Sequence, residues 1–150
     1  MIHIVVAAAA IALGATAVMA QSNPIQERNA LMKSMWREGW SSSFRMVRGQ
    51  EPYDAAKVSA GFAKMSENAA NATSLWPANS KPTNPTTDYY SSSKLWDNKS
   101  DFDAKLAKFA KDVEANRAKA TTDLNGLKAA FQVVNEDCDD CHELYRVKRN

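Results

Sequence analysis

The 150-residue chain holds two cysteines and two histidines. Three of these four side chains fall within "CDDCH", as Cys138, Cys141 and His142. A C-x-x-C pair serves as a redox dithiol, a disulfide or half of a zinc site, whereas C-x-x-C-H is the attachment sequence for c-type haem. The spacing suits that last chemistry. Each thiol adds to one vinyl group of the porphyrin, giving two thioethers, and the adjoining histidine is held over the iron as an axial ligand. A structural zinc site needs about four protein ligands, and the only other histidine, His3, lies in a segment read below as removed. A thioredoxin-like dithiol opens a helix after a strand; here the motif falls late in a long helical pattern. A strained disulfide or two free thiols remain the plainer readings.

The elements that must position the motif read as helices. Leu124, Leu127, Phe131, Val134, Cys138, Cys141 and Tyr145 follow one another at 3-4-3-4-3-4 intervals, so both cysteines continue the inward stripe of a last helix. His142 is four residues beyond Cys138 and shares that side. Thr122 or Asp123, at the end of the turn "KATTD", is the expected cap. A preceding helix starts with "SDFD", where Ser100 caps and Asp103 reaches back, and continues through Phe102, Leu106, Phe109 and Val113. Upstream, Ala55, Val58, Phe62, Met65, Ala69 and Ala72 form a second stripe. A first helix begins at Pro24 with Asn23 as N-cap and carries Ile25, Met32, Met35, Trp36, Phe44 and Val47. Gly39 and the serines at positions 41–43 weaken its middle, and "GQEPYD" ends it. Between the second and third helices, residues 76–99 hold three of the five prolines and read as a long crossover loop, anchored by Trp76, Tyr89, Tyr90 and Trp96. The fold class is all-α, an antiparallel four-helix bundle with a long loop between helices 2 and 3, and haem sites are built on facing helices of such bundles.

The first 20 residues contain no Asp, Glu, Lys or Arg, and "IVVAAAAIALGATAVMA" reads as a secretory signal cleaved after Ala20. The run is short for a membrane span of about 20 residues, and its "MIH" start lacks the usual Lys or Arg. Residues 21–150 then form one haem-carrying domain with enough material for a single core. The formal charge of +2 is too small a bias for nucleic-acid binding, and there is no basic tract or glycine-rich phosphate loop. No acid–base pair suggests catalysis, so no enzyme activity is expected. The lysines at 105, 108, 111 and 119 on the third helix read as a solvated face, with a docking patch for an acidic partner as the alternative.

Four helices with C-x-x-C-H in the last resemble the cytochrome c prime family, the class II c-type cytochromes, over residues 23–148. "CDDCHELYR" is similar to that family's terminal motif, and "ERNALMKSM", "EPYDAAKV" and "YYSSSKLWDNKSDFD" look like its low-spin branch, the cytochrome c-556 type. The resemblance implies one covalent haem c, thioether-bonded through Cys138 and Cys141, with His142 as proximal iron ligand. The methionine of "LMK", Met32, is then the distal ligand; core packing is its other reading, and Met35 and Met46 are rivals. Arg28, one turn earlier, becomes a contact to a haem propionate or else a surface arginine. Arg146 follows the motif as in the family, where it can tune the proximal histidine. In that family haem is attached outside the bacterial cytoplasm, which agrees with the signal segment and implies a periplasmic protein. The expected function is single-electron carriage between redox partners in the periplasm or membrane, with no membrane span in the mature chain and a homodimer as one arrangement. The alternative is a five-coordinate haem that binds nitric oxide or another diatomic gas.

Overall fold

A computed structural model describes residues 23–82 and 87–149. The signal segment with its cleavage point, and Pro85 of the crossover, lie outside the described residues. Helix α1 (Pro24–Ser34) starts where expected: Asn23 Oδ1 accepts from the backbone N–H groups of Ile25 at 3.0 Å and Gln26 at 3.4 Å. The chain does not break at Gly39. It passes through a π-helical segment (Met35–Trp40), in which the Ser41 N–H donates to Trp36 O, and on into α2 (Ser41–Val47). A π turn takes in extra chain and rotates every later side chain about the axis. Beyond it the buried face passes to Trp40 and Met46, while upstream, in α1, Leu31 is buried and Ile25 and Met32 of the expected stripe are exposed, as is Trp36 within the π segment.

Helix α3 (Ala55–Ala72) begins at Asp54, whose carboxylate accepts from Ala56 N and Lys57 N. Its stripe is as expected except at the start: Val58, Phe62, Met65, Ala69 and Ala72 are buried and Ala55 is exposed. Where the π segment meets α3 the two backbones nearly touch. A Cβ on Gly61 would lie 2.5 Å from the Gly39 carbonyl oxygen, so only glycine at 61 permits the crossing.

The crossover is more structured than a loop. It contains a 3-10 turn (Ala78–Ser80), strand β1 (Tyr89–Ser91) and a short helix α4 (Lys94–Asp97). Strand β1 pairs antiparallel with β2 (Arg146–Lys148), which directly follows the last helix, in the register Tyr89↔Lys148, Tyr90↔Val147, Ser91↔Arg146. Two further backbone bonds extend the ribbon, Ser92 N–H to Tyr145 O and Arg149 N–H to Asp88 O, both at 2.8 Å. Of the expected anchors, Trp76 is buried with its Nε1–H donating to Ser91 Oγ, and half-buried Trp96 donates to Pro77 O. Tyr90 is half-buried and Tyr89 is exposed.

Helix α5 (Lys99–Ala120) starts one residue before Ser100, with Asn98 as N-cap and no side-chain capping bond. Ser100 and Asp103 therefore form no capping box; the Asp103 carboxylate is taken instead by Lys99, one turn back. The turn to α6 (Leu124–Tyr145) is capped by Asp123, which accepts from Gly126 N at 2.7 Å, a bond of a kind that contributes about 1 kcal/mol. Leu127, Val134 and Tyr145 of the α6 stripe are buried; Leu124, Phe131, Cys138 and Cys141 are half-buried. The core falls into two clusters. One gathers Trp40, Met46, Phe62, Val113 and Leu127, and the other Leu31, Trp76, Leu95, Phe102 and Tyr145. Cys138 packs against the first and Cys141 against the second, so the motif lies at their junction. Among the described residues no helix is long and apolar enough to cross a membrane.

Candidate haem site

One turn of α6 presents Cys138, Cys141 and His142 to a single cavity of about 1030 Å³, at the upper end of the roughly 300–1,000 Å³ usual for cofactor pockets. Helix α1 and the π segment contribute Arg28, Met32, Met35, Trp36 and Trp40; the core contributes Met65, Trp76, Leu95 and Phe102; residues 87–91 of the crossover contribute a further wall. Of the residues singled out from the sequence, Cys138, Cys141, His142, Met32, Arg28, Met35 and Arg146 thus line the same space. Met46 does not. It is 1 % exposed within the first core cluster, which removes it as a ligand.

The site's electrostatics follow from its burial. Burial pushes the His142 imidazole down to about 4, helped by the cation of Arg146 and opposed by Asp139. The ring is therefore neutral at physiological pH, the form in which imidazole binds a metal. Cys138 is pushed up to about 12, first by burial and then by the carboxylates of Asp139 and Asp137. Cys141 is pushed up to about 11 by burial, against the pull of Lys105. No disulfide joins the pair, and burial favours the protonated thiol at both positions, unlike the low-pKa thiolates of dithiol redox sites. Among the described residues no three His, Cys, Asp or Glu side chains converge on a point that would hold a bare metal ion. An iron that arrives within its own ring of nitrogen donors needs only axial ligands and anchors, and the imidazole, thioether and thiol side chains that line this cavity are of the types that serve.

Arg28 is neither a surface arginine nor a loose one. It is 5 % exposed, with its Nη2 donating to Ser80 O at 2.9 Å. Its guanidinium lies 5.8 Å from the Trp76 ring centre and 5.5 Å from that of Trp96. No carboxylate pairs with it among the described residues, and burial lowers its pKa. A buried cation without an anion is costly, and a carboxylate brought into the cavity would complete it. The haem propionates have that chemistry. Lys33 and Arg37, which sequence reasoning passed over, also line the cavity without a carboxylate partner among the described residues. Their signal was available, since they lie one and five residues after Met32.

The lysine face of α5 is partly spoken for. Lys108 bridges Asp112 at 2.8 Å and the buried Asp137, so it is not free for docking. Asp137 was also missed. Its carboxyl is 5 % exposed with Oδ2 unpartnered, and burial raises its pKa against the pull of Lys108.

Comparison with known proteins agrees with this geometry. The family model for cytochrome c' matches residues 23–146. Cytochrome c-556 of Rhodopseudomonas palustris is 36 % identical over 149 residues, 99 % of each chain. Cytochrome c-555 of Bradyrhizobium diazoefficiens is 35 % identical over 136 residues, 91 % of each. The solved structure of cytochrome c' from Rhodopseudomonas palustris superposes with a TM-score of 0.78 at 30 % identity, covering 87 % of this chain and 100 % of that one. Both the cavity at the end of a helical bundle and the sequence match lead to one conclusion: the chain belongs to the cytochrome c' family of class II c-type cytochromes, which carry covalently bound haem c.

Proposed function

We propose that the protein is a periplasmic carrier of single electrons whose haem is six-coordinate. Cys138 and Cys141 anchor it through thioethers, His142 ligates the iron on one face and Met32 on the other. The observation that carries this reading is that Met32 and His142, 110 positions apart in the chain, line the same cavity. The match is also somewhat higher to the c-556 relative, at 36 %, than to cytochrome c' from the same organism, at 30 %. The bound haem supplies a reversible Fe(III)/Fe(II) couple. The chain supplies what makes that couple useful. His142 would offer the iron a neutral imidazole and Met32 a thioether; ligands that both come from the protein keep rearrangement on electron movement small, and a thioether raises the potential. Apolar walls from Leu95, Phe102 and Trp76 exclude water from the ring, while Arg28 offers a buried cation to a propionate.

The reduced-minus-oxidised spectrum of protein produced with haem-attachment machinery, taken with and without carbon monoxide, tests this reading. Sharp split α and β bands, unchanged by carbon monoxide, are expected. A broad high-spin spectrum that shifts with carbon monoxide would instead mark an open iron and a diatomic-gas binder. The attachment itself is checked by mass spectrometry. The intact chain should carry the added mass of one haem, and the double variant Cys138→Ala/Cys141→Ala should lose it under denaturing conditions.

A further inference from the structure

The ribbon that joins the crossover to the tail of α6 lies against the same cavity and holds one charged side chain in place. Arg146 is fixed in three ways. Its backbone N–H donates to His142 O at the end of α6, its backbone pairs with Ser91 in the β1–β2 register, and its guanidinium lies 4.9 Å from the centre of the Tyr89 ring. Tyr89 and Arg146 are diagonal neighbours on one face of the ribbon, a separation that an aromatic ring and a long side chain can bridge. Arg146 has no carboxylate partner among the described residues, and both it and Tyr89 line the cavity. Tyr89 belongs to neither core cluster, and the Arg146 guanidinium is the partner its ring meets across the ribbon.

We propose that Tyr89 is a positioning residue: through its ring the crossover holds the Arg146 cation beside His142, and this raises the reduction potential of the iron. The inference rests on the haem reading above. An iron bound at His142 gains one unit of positive charge on oxidation. Arg146 is itself exposed at the rim of the cavity, so its effect depends on distance: a cation held close to the iron opposes that gain, whereas one free to swing out into water is screened. The crossover, far from the cysteines in sequence, thus sets a property of the metal.

The test is a double-mutant cycle read by potentiometric titration of the haem-loaded protein. Tyr89→Phe keeps the ring and should keep the parent midpoint. Tyr89→Ala should lower the midpoint, and Arg146→Gln should lower it at least as far. In the Arg146→Gln background, Tyr89→Ala should add no further shift. The inference is overturned if Tyr89→Ala retains the parent midpoint, or if its shift persists undiminished without Arg146, since the ring would then act by shielding the haem and not by holding the cation. A colourless parent protein would overturn the haem reading and this inference together; a coloured Tyr89→Ala protein with the parent potential overturns this inference alone.

Discussion

Replacing Met32 with alanine is expected to turn a low-spin spectrum into a high-spin one and to open the iron to carbon monoxide and nitric oxide. The reduction potential should fall as well, because the thioether that favours the ferrous state is gone. The fold should survive. Met32 belongs to neither core cluster, so its truncation removes less protein packing than the loss of a core methionine, which costs about 2–5 kcal/mol. The companion variant is Met35→Ala. Met35 also lines the cavity, but it packs against both core clusters. It is expected to retain the low-spin bands and to unfold at a lower temperature. Optical spectra of the two variants, recorded with and without carbon monoxide, decide between the methionines. An unchanged low-spin spectrum in Met32→Ala rejects Met32 as ligand, and conversion by Met35→Ala moves the ligand one turn along the arm.

The second large effect is expected at the contact between the first arm and α3. Gly61→Ala brings two opposed terms. An alanine in a helix interior is favoured over glycine by about 1 kcal/mol. Its Cβ, however, would sit 2.5 Å from the Gly39 carbonyl oxygen, and backbone cannot rotate away as a side chain can. Overpacking of this kind costs about 1–3 kcal/mol, and a rigid obstacle places it at the upper end. A net loss of about 2 kcal/mol follows, a fall of roughly 6–10 °C in melting temperature for a domain of this size. Gly39→Ala is the informative control. Its Cβ would meet Met65 Cγ at 2.7 Å, and that side chain can turn aside, so the loss should be smaller. Thermal unfolding followed by circular dichroism measures both. A Gly61→Ala protein that melts at or above the parent temperature would mean that the helices do not approach so closely.

That contact also explains where the sequence was legible and where it was not. The stripes of α3 and α6 could be read directly, because each helix buries one face at the helical period, and both cysteines fell on it. The three cavity-facing residues of the C-x-x-C-H motif needed nothing beyond that period. The first arm was harder. Its π segment lies where Gly39 meets Gly61, a tertiary event between residues 22 positions apart, and local sequence read Gly39 only as a weak point in a regular helix. The extra chain in that turn changed which side chains face inward from there on, leaving Trp36 exposed and burying Trp40 and Met46. The start of α5 was misplaced by two residues, its cap being Asn98 and not Ser100, because a short helix, α4, leads into it and Asn98 takes the junction. The β1–β2 ribbon was invisible. Two three-residue strands more than 50 positions apart carry no periodicity, and their pairing depends on the end of α6 arriving beside the crossover. The role of Arg28 could be guessed from its distance to Met32, but not its burial between two indoles.

Those indoles have a consequence of their own. Trp36, Trp40 and Trp76 line the cavity, and Trp96 stacks beneath Arg28 beside them; they are all the tryptophans the chain has. Porphyrins absorb strongly in the violet and near-ultraviolet, where indole emits. Every intrinsic fluorophore of this type therefore sits within energy-transfer range of whatever pigment fills the pocket. The folded, loaded protein should be nearly dark under ultraviolet excitation, and light would return only as pigment and indoles part.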